Sequence, residues 1–423
     1  MSSTVKRQVR WAAWLLPVIA AAACSAPAPA TMGSSGTAGA PAPVAGLPAG
    51  PASEEQVLRG RHLVISHGCG DCHGGWPNPA AEEWLAGKTD DDDEFVVGEY
   101  RVWPPNLTTD TQTGLGRYTD RQVYNALRYG LRPGHTPDVD IMSATPGVGN
   151  HPARPNYLAP VMPWIGFRHM SDRELWSIVA YLRQLVPVTH AVREGTRPPD
   201  FWADSYTPQK TGPVPAAAFP TANEELHDPA RREQVLEGRR LVVSMACGIC
   251  HGGVANPSSP TWLRGYLPEE QRVYPAPFEM EFPIGPFTTY ARNLTPDNTT
   301  GLGRFSERQI FNALRYGLRP GETADVEITS TVPGEGNHPS APKYLAPPMP
   351  WPAWRHMTDN ELWAVAAYLK NGLKPVRNLV PDSEGPPDFW ASDYLSGMFG
   401  PYPAAPFPTA RERPITRSTT TGR

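Results

Sequence analysis

Three amphipathic segments recur along the chain, each opened by a Ser or Thr with Gln or Glu three residues on in most copies. Ser53 followed by Gln56 predicts a helix N-terminus, with Val57, Leu58 and Val64 as its apolar positions. Thr119 with Gln122, and Ser306 with Gln309, predict a middle helix, and Val123, Leu127 and Leu131 give it an apolar face at i, i+4 and i+8. Ser171 with Glu174, and Thr358 with Glu361, open a last helix. Trp176, Val179, Tyr181 and Leu182 form its buried side, as do Trp363, Ala366, Tyr368 and Leu369 in the second copy. Gly60 and Gly238 fall inside the first helix of each copy. A glycine there costs about 1 kcal/mol relative to Ala, so a packing reason is expected: close crossing by the last helix.

The repeat extends beyond these helices. Asn106 to Arg117 matches Asn293 to Arg304, and Asn125 to Gly134 is identical to Asn312 to Gly321. Abundant proline (51) and glycine (38) indicate long structured loops between modest helices rather than a large sheet. Residues Trp76 to Trp103 read as a loop with an acidic run, Asp90 to Glu94, that is either a solvated face or a partner-docking patch. The second copy has the apolar stretch Tyr274 to Phe287 instead, a contact surface or a lid. Pro198 to Trp202 and Pro386 to Trp390 share Pro-Pro-Asp-Phe-Trp, which predicts a strap on each half. At 423 residues the chain has room for two or three domains, and a net charge of −4 exerts no pull toward nucleic acid.

Candidate chemistry lies where the first helix ends. Cys69-Gly70-Asp71-Cys72-His73 recurs as Cys247-Gly248-Ile249-Cys250-His251, 178 positions on. Cys-x-x-Cys-His is the pattern that attaches c-type haem through two thioethers, the adjacent imidazole serving as proximal iron ligand. A thioredoxin-like pair would sit in a βα pattern, and none surrounds either copy. A zinc site would need both pairs to converge on one ion, whereas each pair carries its own histidine. Arg128, Arg132, Arg315 and Arg319 are candidates to pair haem propionates through their planar forks, the alternative being surface solvation.

An electron-transfer iron needs a second axial ligand. Met162 and Met349 each sit between prolines, in Tyr157-Leu-Ala-Pro-Val-Met162-Pro-Trp164 and its counterpart, which pre-sets the thioether. Met170 and Met357 also recur, but beside a helix cap they are explained as staples to Leu175 and Leu362. His151 and His338 recur in Gly-Asn-His-Pro and leave bis-histidine ligation open. Met142 faces Thr329 in the second copy and cannot be a shared ligand.

The amino terminus reads as a targeting segment. Lys6, Arg7 and Arg10 precede a short apolar run, Trp11 to Ala23, matching a signal-peptide core too short to span a bilayer. Ala21-Ala22-Ala23-Cys24-Ser25 resembles a bacterial lipoprotein cleavage site with Cys24 as the acylated residue, though Ala21 stands where that pattern has Leu. Ordinary cleavage nearby is the alternative. With four thiols on haem and the fifth on lipid, none of the five is left for a disulfide.

Haem motif, middle helix, Met loop and capped final helix, in this order, make each half resemble a class I cytochrome c domain. The segments Asn-Leu-Thr-x-Asp-x-x-Thr-Gly-Leu-Gly, Met-Pro-Trp and Asp-x-Glu-Leu-Trp resemble the cytochrome subunits of bacterial membrane-bound alcohol, aldehyde and gluconate dehydrogenases. The resemblance implies thioethers at Cys69, Cys72, Cys247 and Cys250, and axial pairs His73 with Met162 and His251 with Met349. It differs in haem count, since those subunits typically hold three haem domains. The expected architecture is all-α: signal peptide 1–23, flexible tether 24–52, cytochrome c domains 53–222 and 223–410, and disordered tail 411–423. The expected function is electron transfer through two covalently bound haems c at the periplasmic side of a bacterial membrane, held there by a lipid on Cys24. Electrons would pass from a donor dehydrogenase to a respiratory acceptor, and the chain is not itself an enzyme. A dihaem peroxidase needs an open iron site with acid–base residues, and two intact, nearly identical Met loops argue against it. A gas-binding sensor is the third reading.

Overall fold

The computed structural model describes residues 51–89, 94–97, 100–195, 206, 211–268, 280–385, 390–395 and 397–415. The leader 1–23, Cys24, the tether to residue 50, Asp90 to Asp93, Pro198 to Trp202, Tyr274 to Glu279, Pro386 to Phe389 and the end of the tail from 416 lie outside the described residues.

The first half runs α1 (Glu54–Ser66), α2 (Cys69–His73), β1 (Phe95–Val97), β2 (Tyr100–Val102), α3 (Asp120–Tyr129), α4 (Trp164–Phe167) and α5 (Asp172–Leu182). The second repeats it as α6 (Arg232–Ser244), α7 (Cys247–His251), β3 (Glu281–Ile284), β4 (Phe287–Tyr290), α8 (Glu307–Tyr316), α9 (Trp351–Trp354) and α10 (Asp359–Asn371), followed by α11 (Ala391–Leu395). The fold is mostly helical. This is compatible with the all-α expectation, to which the structure adds two short antiparallel hairpins, β1–β2 and β3–β4, pairing Phe95 with Val102 and Glu281 with Tyr290. β-Branched and aromatic residues in short apolar runs favour a pleated ribbon over a helix there. Phe287, the last residue of the stretch read as a contact surface or lid, is buried against Trp390, ring centroids 5.0 Å apart.

The helix starts form as their sequences dictate. The Ser53 hydroxyl accepts from Gln56 N at 3.1 Å. Reciprocal capping boxes close at Thr119/Gln122, Ser171/Glu174, Ser306/Gln309 and Thr358/Glu361, satisfying orphan backbone donors of α3, α5, α8 and α10. α1 crosses α5 at Gly60, where a Cβ would lie 1.8 Å from the Ser177 carbonyl oxygen. α6 crosses α10 at Gly238, 1.8 Å from the Ala364 carbonyl. Each crossing anchors one hydrophobic cluster, with Val57, Leu63, Tyr181 and Leu182 in the first and Val235, Leu241, Tyr368 and Leu369 in the second.

The halves meet about an approximate two-fold relation. Glu174 on α5 accepts from Arg240 on α6 at 2.7 Å, and its counterpart Glu361 pairs with His62 on α1 at 3.0 Å. Gly166 on α4 packs on Ala246, and Ala353 on α9 packs on Gly68; each small residue precedes a haem motif or follows a Met loop. The segment after each half does not stay on that half. Tyr206 lies on Trp164 of the first half, centroids 4.8 Å apart, but Asn223 donates to the Pro257 and Ser259 carbonyls of the second. Tyr394 lies on Trp351 of the second half, while Thr409 donates to the Pro79 carbonyl of the first. Trp390, the one described residue of the expected straps, packs on its own half against Phe287, and it is the chain further on that crosses to the other half. Residues 411–415, expected in the disordered tail, are ordered, with Glu412 buried, because the first half supplies it with partners.

Candidate functional site

α2 and α7 are single helical turns held by glycines, because there is no room for side chains beside them. A Cβ on Gly70 would lie 1.9 Å from the Trp76 carbonyl oxygen and 2.5 Å from the Trp84 ring; on Gly248 it would lie 2.2 Å from the Val254 carbonyl oxygen. Cys69, Cys72, Cys247 and Cys250 are all free of disulfides and half-buried. Burial pushes the thiols of Cys69 and Cys247 up to about 12 and that of Cys250 to about 11, so they remain protonated at neutral pH. Among the described residues no three His, Cys, Asp or Glu side chains gather as a metal cluster, so the two Cys pairs do not converge.

His73 and His251 are buried, and each presents one ring nitrogen to a backbone carbonyl. His73 Nδ1 lies 2.8 Å from the Pro105 oxygen, and His251 Nδ1 lies 2.7 Å from the Arg292 oxygen. A carbonyl only accepts, so Nδ1 carries the proton and Nε2 keeps its lone pair, the tautomer an iron ligand needs. Burial drives His73 down to about 4 against the opposing pull of that carbonyl, and lowers His251 likewise; both rings are neutral at pH 7.

The repeated Asn-Leu-Thr segment, read only as a repeat in the sequence, holds that carbonyl in place. Asn106 Nδ2 donates to Thr113 Oγ1 at 3.0 Å and to the Val188 oxygen at 2.8 Å, and its Oδ1 accepts from Thr108 N at 2.9 Å. Asn293 makes the same bonds to Thr300, Val376 and Thr295. The knot fixes the peptide immediately before it, which carries the histidine's acceptor.

Met162 and Met349 are half-buried and pack against the first and second clusters, which Cys69 and Cys247 also border. Met162 sits in a turn, its N–H donating to the Ala159 oxygen at 2.9 Å while its own oxygen accepts from Trp164 N at 2.8 Å. Met170 and Leu175 are both fully buried in one cluster, and Met357 and Leu362 in the other, as a staple requires. His151 and His338 pack edge-on against Tyr129 and Tyr316, centroids 5.9 Å apart in both, with Nδ1 near the oxygens of Pro152 and Pro339.

The four arginines are held by partners within the protein. Arg128 binds the Arg168 and Met170 oxygens and Asp172; Arg315 binds the Arg355 oxygen, Tyr402 and Asp359. Arg132 and Arg319 donate through Nε to the Tyr157 and Tyr344 oxygens. All four hold backbone carbonyls, and Arg128 and Arg315 pair with carboxylates as well. Other polar atoms stand at matching places in both halves: Nε1 of Trp164 and Trp351, and Oγ1 of Thr136 and Thr323, are buried with no hydrogen bond of good geometry among the described residues, Trp164 lying beside Tyr206. Two such donors in each half, at equivalent positions, fit a carboxylate-bearing group such as haem.

Sequence reasoning missed a buried chain behind each motif. Trp84 Nε1 donates to Tyr181 Oη at 2.9 Å, Tyr181 donates to Glu412 at 2.6 Å, and Arg61 donates to the same carboxylate at 2.6 Å. Trp262, Tyr368, Glu224 and Arg239 repeat it with the same distances. A second repeat, Phe-Pro-Thr-Ala-x-Glu at Phe219 to Glu224 and Phe407 to Glu412, was the available signal.

The repeated Cys-x-x-Cys-His turn, with an oriented, neutral histidine, carries the pattern to which c-type haem attaches, and similarity to known proteins runs the same way. No family model matches the chain. It is 26% identical over 359 residues, 81% of its length, to the gluconate 2-dehydrogenase cytochrome c subunit of Pantoea cypripedii, covering 66% of that protein. It is 31% identical over 133 residues to the cytochrome c subunit of the quinone alcohol dehydrogenase of Gluconacetobacter polyoxogenes, covering 31% of this chain and 24% of that one. It is 25% identical over 178 residues to the fructose dehydrogenase cytochrome subunit of Gluconobacter japonicus, covering 42% and 27%. The chain thus spans from a quarter to about two thirds of these relatives. They are the cytochrome c subunits of dehydrogenases, not the catalytic ones, and this chain resembles them.

Proposed function

We propose that the chain carries electrons through two covalently attached haems c, in two tandem class I cytochrome c domains. Cys69 and Cys72 would hold one haem and Cys247 and Cys250 the other, with His73 and His251 as proximal ligands. Bound there, haem supplies one-electron chemistry, its iron alternating between Fe(II) and Fe(III). The chain's own part is to keep each histidine neutral and aimed, through the Pro105 and Arg292 carbonyls, and to bury the site. Met162 and Met349 would complete the axial pairs, and a His/Met pair raises the reduction potential. Their half-burial beside the same clusters as Cys69 and Cys247 supports this assignment.

The observation that carries the reading is the recurrence of the whole support at both motifs: histidine, carbonyl, asparagine knot and Trp–Tyr–Glu chain. The relatives support a dehydrogenase as electron donor; the acceptor we propose is a respiratory one. No helix among the described residues is long and apolar enough to cross a membrane. Attachment at the periplasmic face through a lipid on Cys24 is the membrane link we propose. The test is to denature the exported protein, extract it with acidified organic solvent and weigh it. Two retained macrocycles are expected. Loss of the colour to the solvent, or fewer than two retained, refutes the reading.

A further inference from the structure

We infer that Glu412 and Glu224 are positioning residues for the two haems, each delivered to one haem site by the strap that follows the other. This rests on the dihaem reading above. The side chains of both glutamates are fully buried, and each faces an arginine and a tyrosine rather than water. Burying a carboxylate is costly unless it is paired, so a buried carboxylate at the same place in both halves has a specific task.

The path from Glu412 to the first motif is short and continuous. Glu412 accepts from Tyr181, Tyr181 accepts from Trp84, and the Trp84 ring lies where any side chain on Gly70 would be, between the two motif cysteines. The peptide following Trp84 then bonds the motif itself: Leu85 N donates to the Gly74 oxygen at 3.0 Å, and Gly87 N to the His73 oxygen at 2.8 Å. Glu224 reaches the second motif by the same route, through Tyr368 and Trp262, with Leu263 N on the Gly252 oxygen and Gly265 N on the His251 oxygen.

The connectivity gives this a consequence that two independent modules would not have. Arg61 and Glu412 are 351 positions apart, so the turn from Thr409 to Glu412 sets the environment of the first haem. Glu224, in the segment joining the halves, serves the second. Each strap starts on its own half, at Tyr206 or Tyr394, and its carboxylate ends on the other.

The test is a spectroelectrochemical titration of the full-length holoprotein, in which the two haem midpoints are resolved. Glu412→Gln removes a negative charge beside one site and leaves Arg61 uncompensated. That favours the more electron-rich Fe(II) state, so one midpoint shifts upward. Glu224→Gln is expected to raise the other midpoint, and the double variant both. Tyr181→Phe breaks the link to Trp84 without changing charge. It should move the same midpoint as Glu412→Gln, which a role in global stability alone would not do. A Glu412→Gln protein that loses only the haem at Cys69 and Cys72, by peptide mass mapping, also supports the inference. If Glu412→Gln does not fold, the Tyr181→Phe titration decides on the same terms. Variants that keep both haems and move neither midpoint, or move both equally, overturn it. Wild-type protein lacking two covalent haems instead refutes the dihaem reading, a result visible before any variant is made.

Discussion

Replacing Gly60 by Ala tests the helix crossing on which the first half is built. On helix propensity alone, the substitution should stabilise α1 by about 1 kcal/mol. The crossing opposes it. The added Cβ would lie 1.8 Å from the Ser177 oxygen, 2.5 Å from its carbon and 2.9 Å from Tyr181 Cβ. Ordinary contact begins near 3.4 Å, so α1 and α5 must separate by more than 1 Å along a backbone that cannot rotate away. Overpacking a tight core costs about 1–3 kcal/mol and occasionally more, and a clash with main chain belongs at the upper end. Net destabilisation of about 2 kcal/mol is expected, roughly a 30-fold fall in the folded-to-unfolded ratio. Displacement of Tyr181 would also strain its bonds to Trp84 and Glu412. The assay is denaturant unfolding of the holoprotein, read by tryptophan fluorescence. Gly321→Ala is the control, because its Cβ meets nothing closer than 3.6 Å and a change within about 0.5 kcal/mol is expected. If Gly60→Ala is neutral or stabilising, the crossing is not as close as described and the reasoning fails.

Met162→Ala should abolish half of the far-red Met–iron band while both haems stay attached, whereas His151→Ala should leave the band unchanged; the reverse result in absorption spectra would favour bis-histidine ligation. Asn106→Ala leaves buried partners of the knot unsatisfied and should cost about 1–3 kcal/mol in a thermal or denaturant melt, with Asn293→Ala doing the same in the second half. Burial pushes the Glu361 carboxyl up, but the His62 hydrogen bond and charge outweigh it and hold the group at about 2, against 4.5 when unfolded. A folded value below the unfolded one contributes stability that is present above pH 4.5 and lost as pH falls toward 2, so Glu361→Gln should flatten this acid limb in a pH series of melting temperatures.

Much was determined by the sequence alone, and the reason is locality. A capping box spans four residues, a haem-attachment turn five, and a helix face shows its own period, so the helix starts, both motifs and the need for glycine at 60 and 238 could be read directly. The hairpins were missed because short apolar runs in a Pro- and Gly-rich stretch carry little periodicity. The partners of Arg128 and Arg315 were not legible because an arginine's partner depends on which carbonyl the fold brings to it, here one 40 residues away. The Asn knot repeated visibly, yet nothing in its own letters says that it holds the carbonyl that orients a histidine. Only the tertiary structure decided which half each strap covers. The two Phe-Pro-Thr-Ala-x-Glu segments are nearly alike, and either could satisfy the same buried tyrosine and arginine. Chain connectivity and the packing of α4 on α6 and α9 on α1 select the crossed arrangement, a global choice that no local stretch of residues encodes.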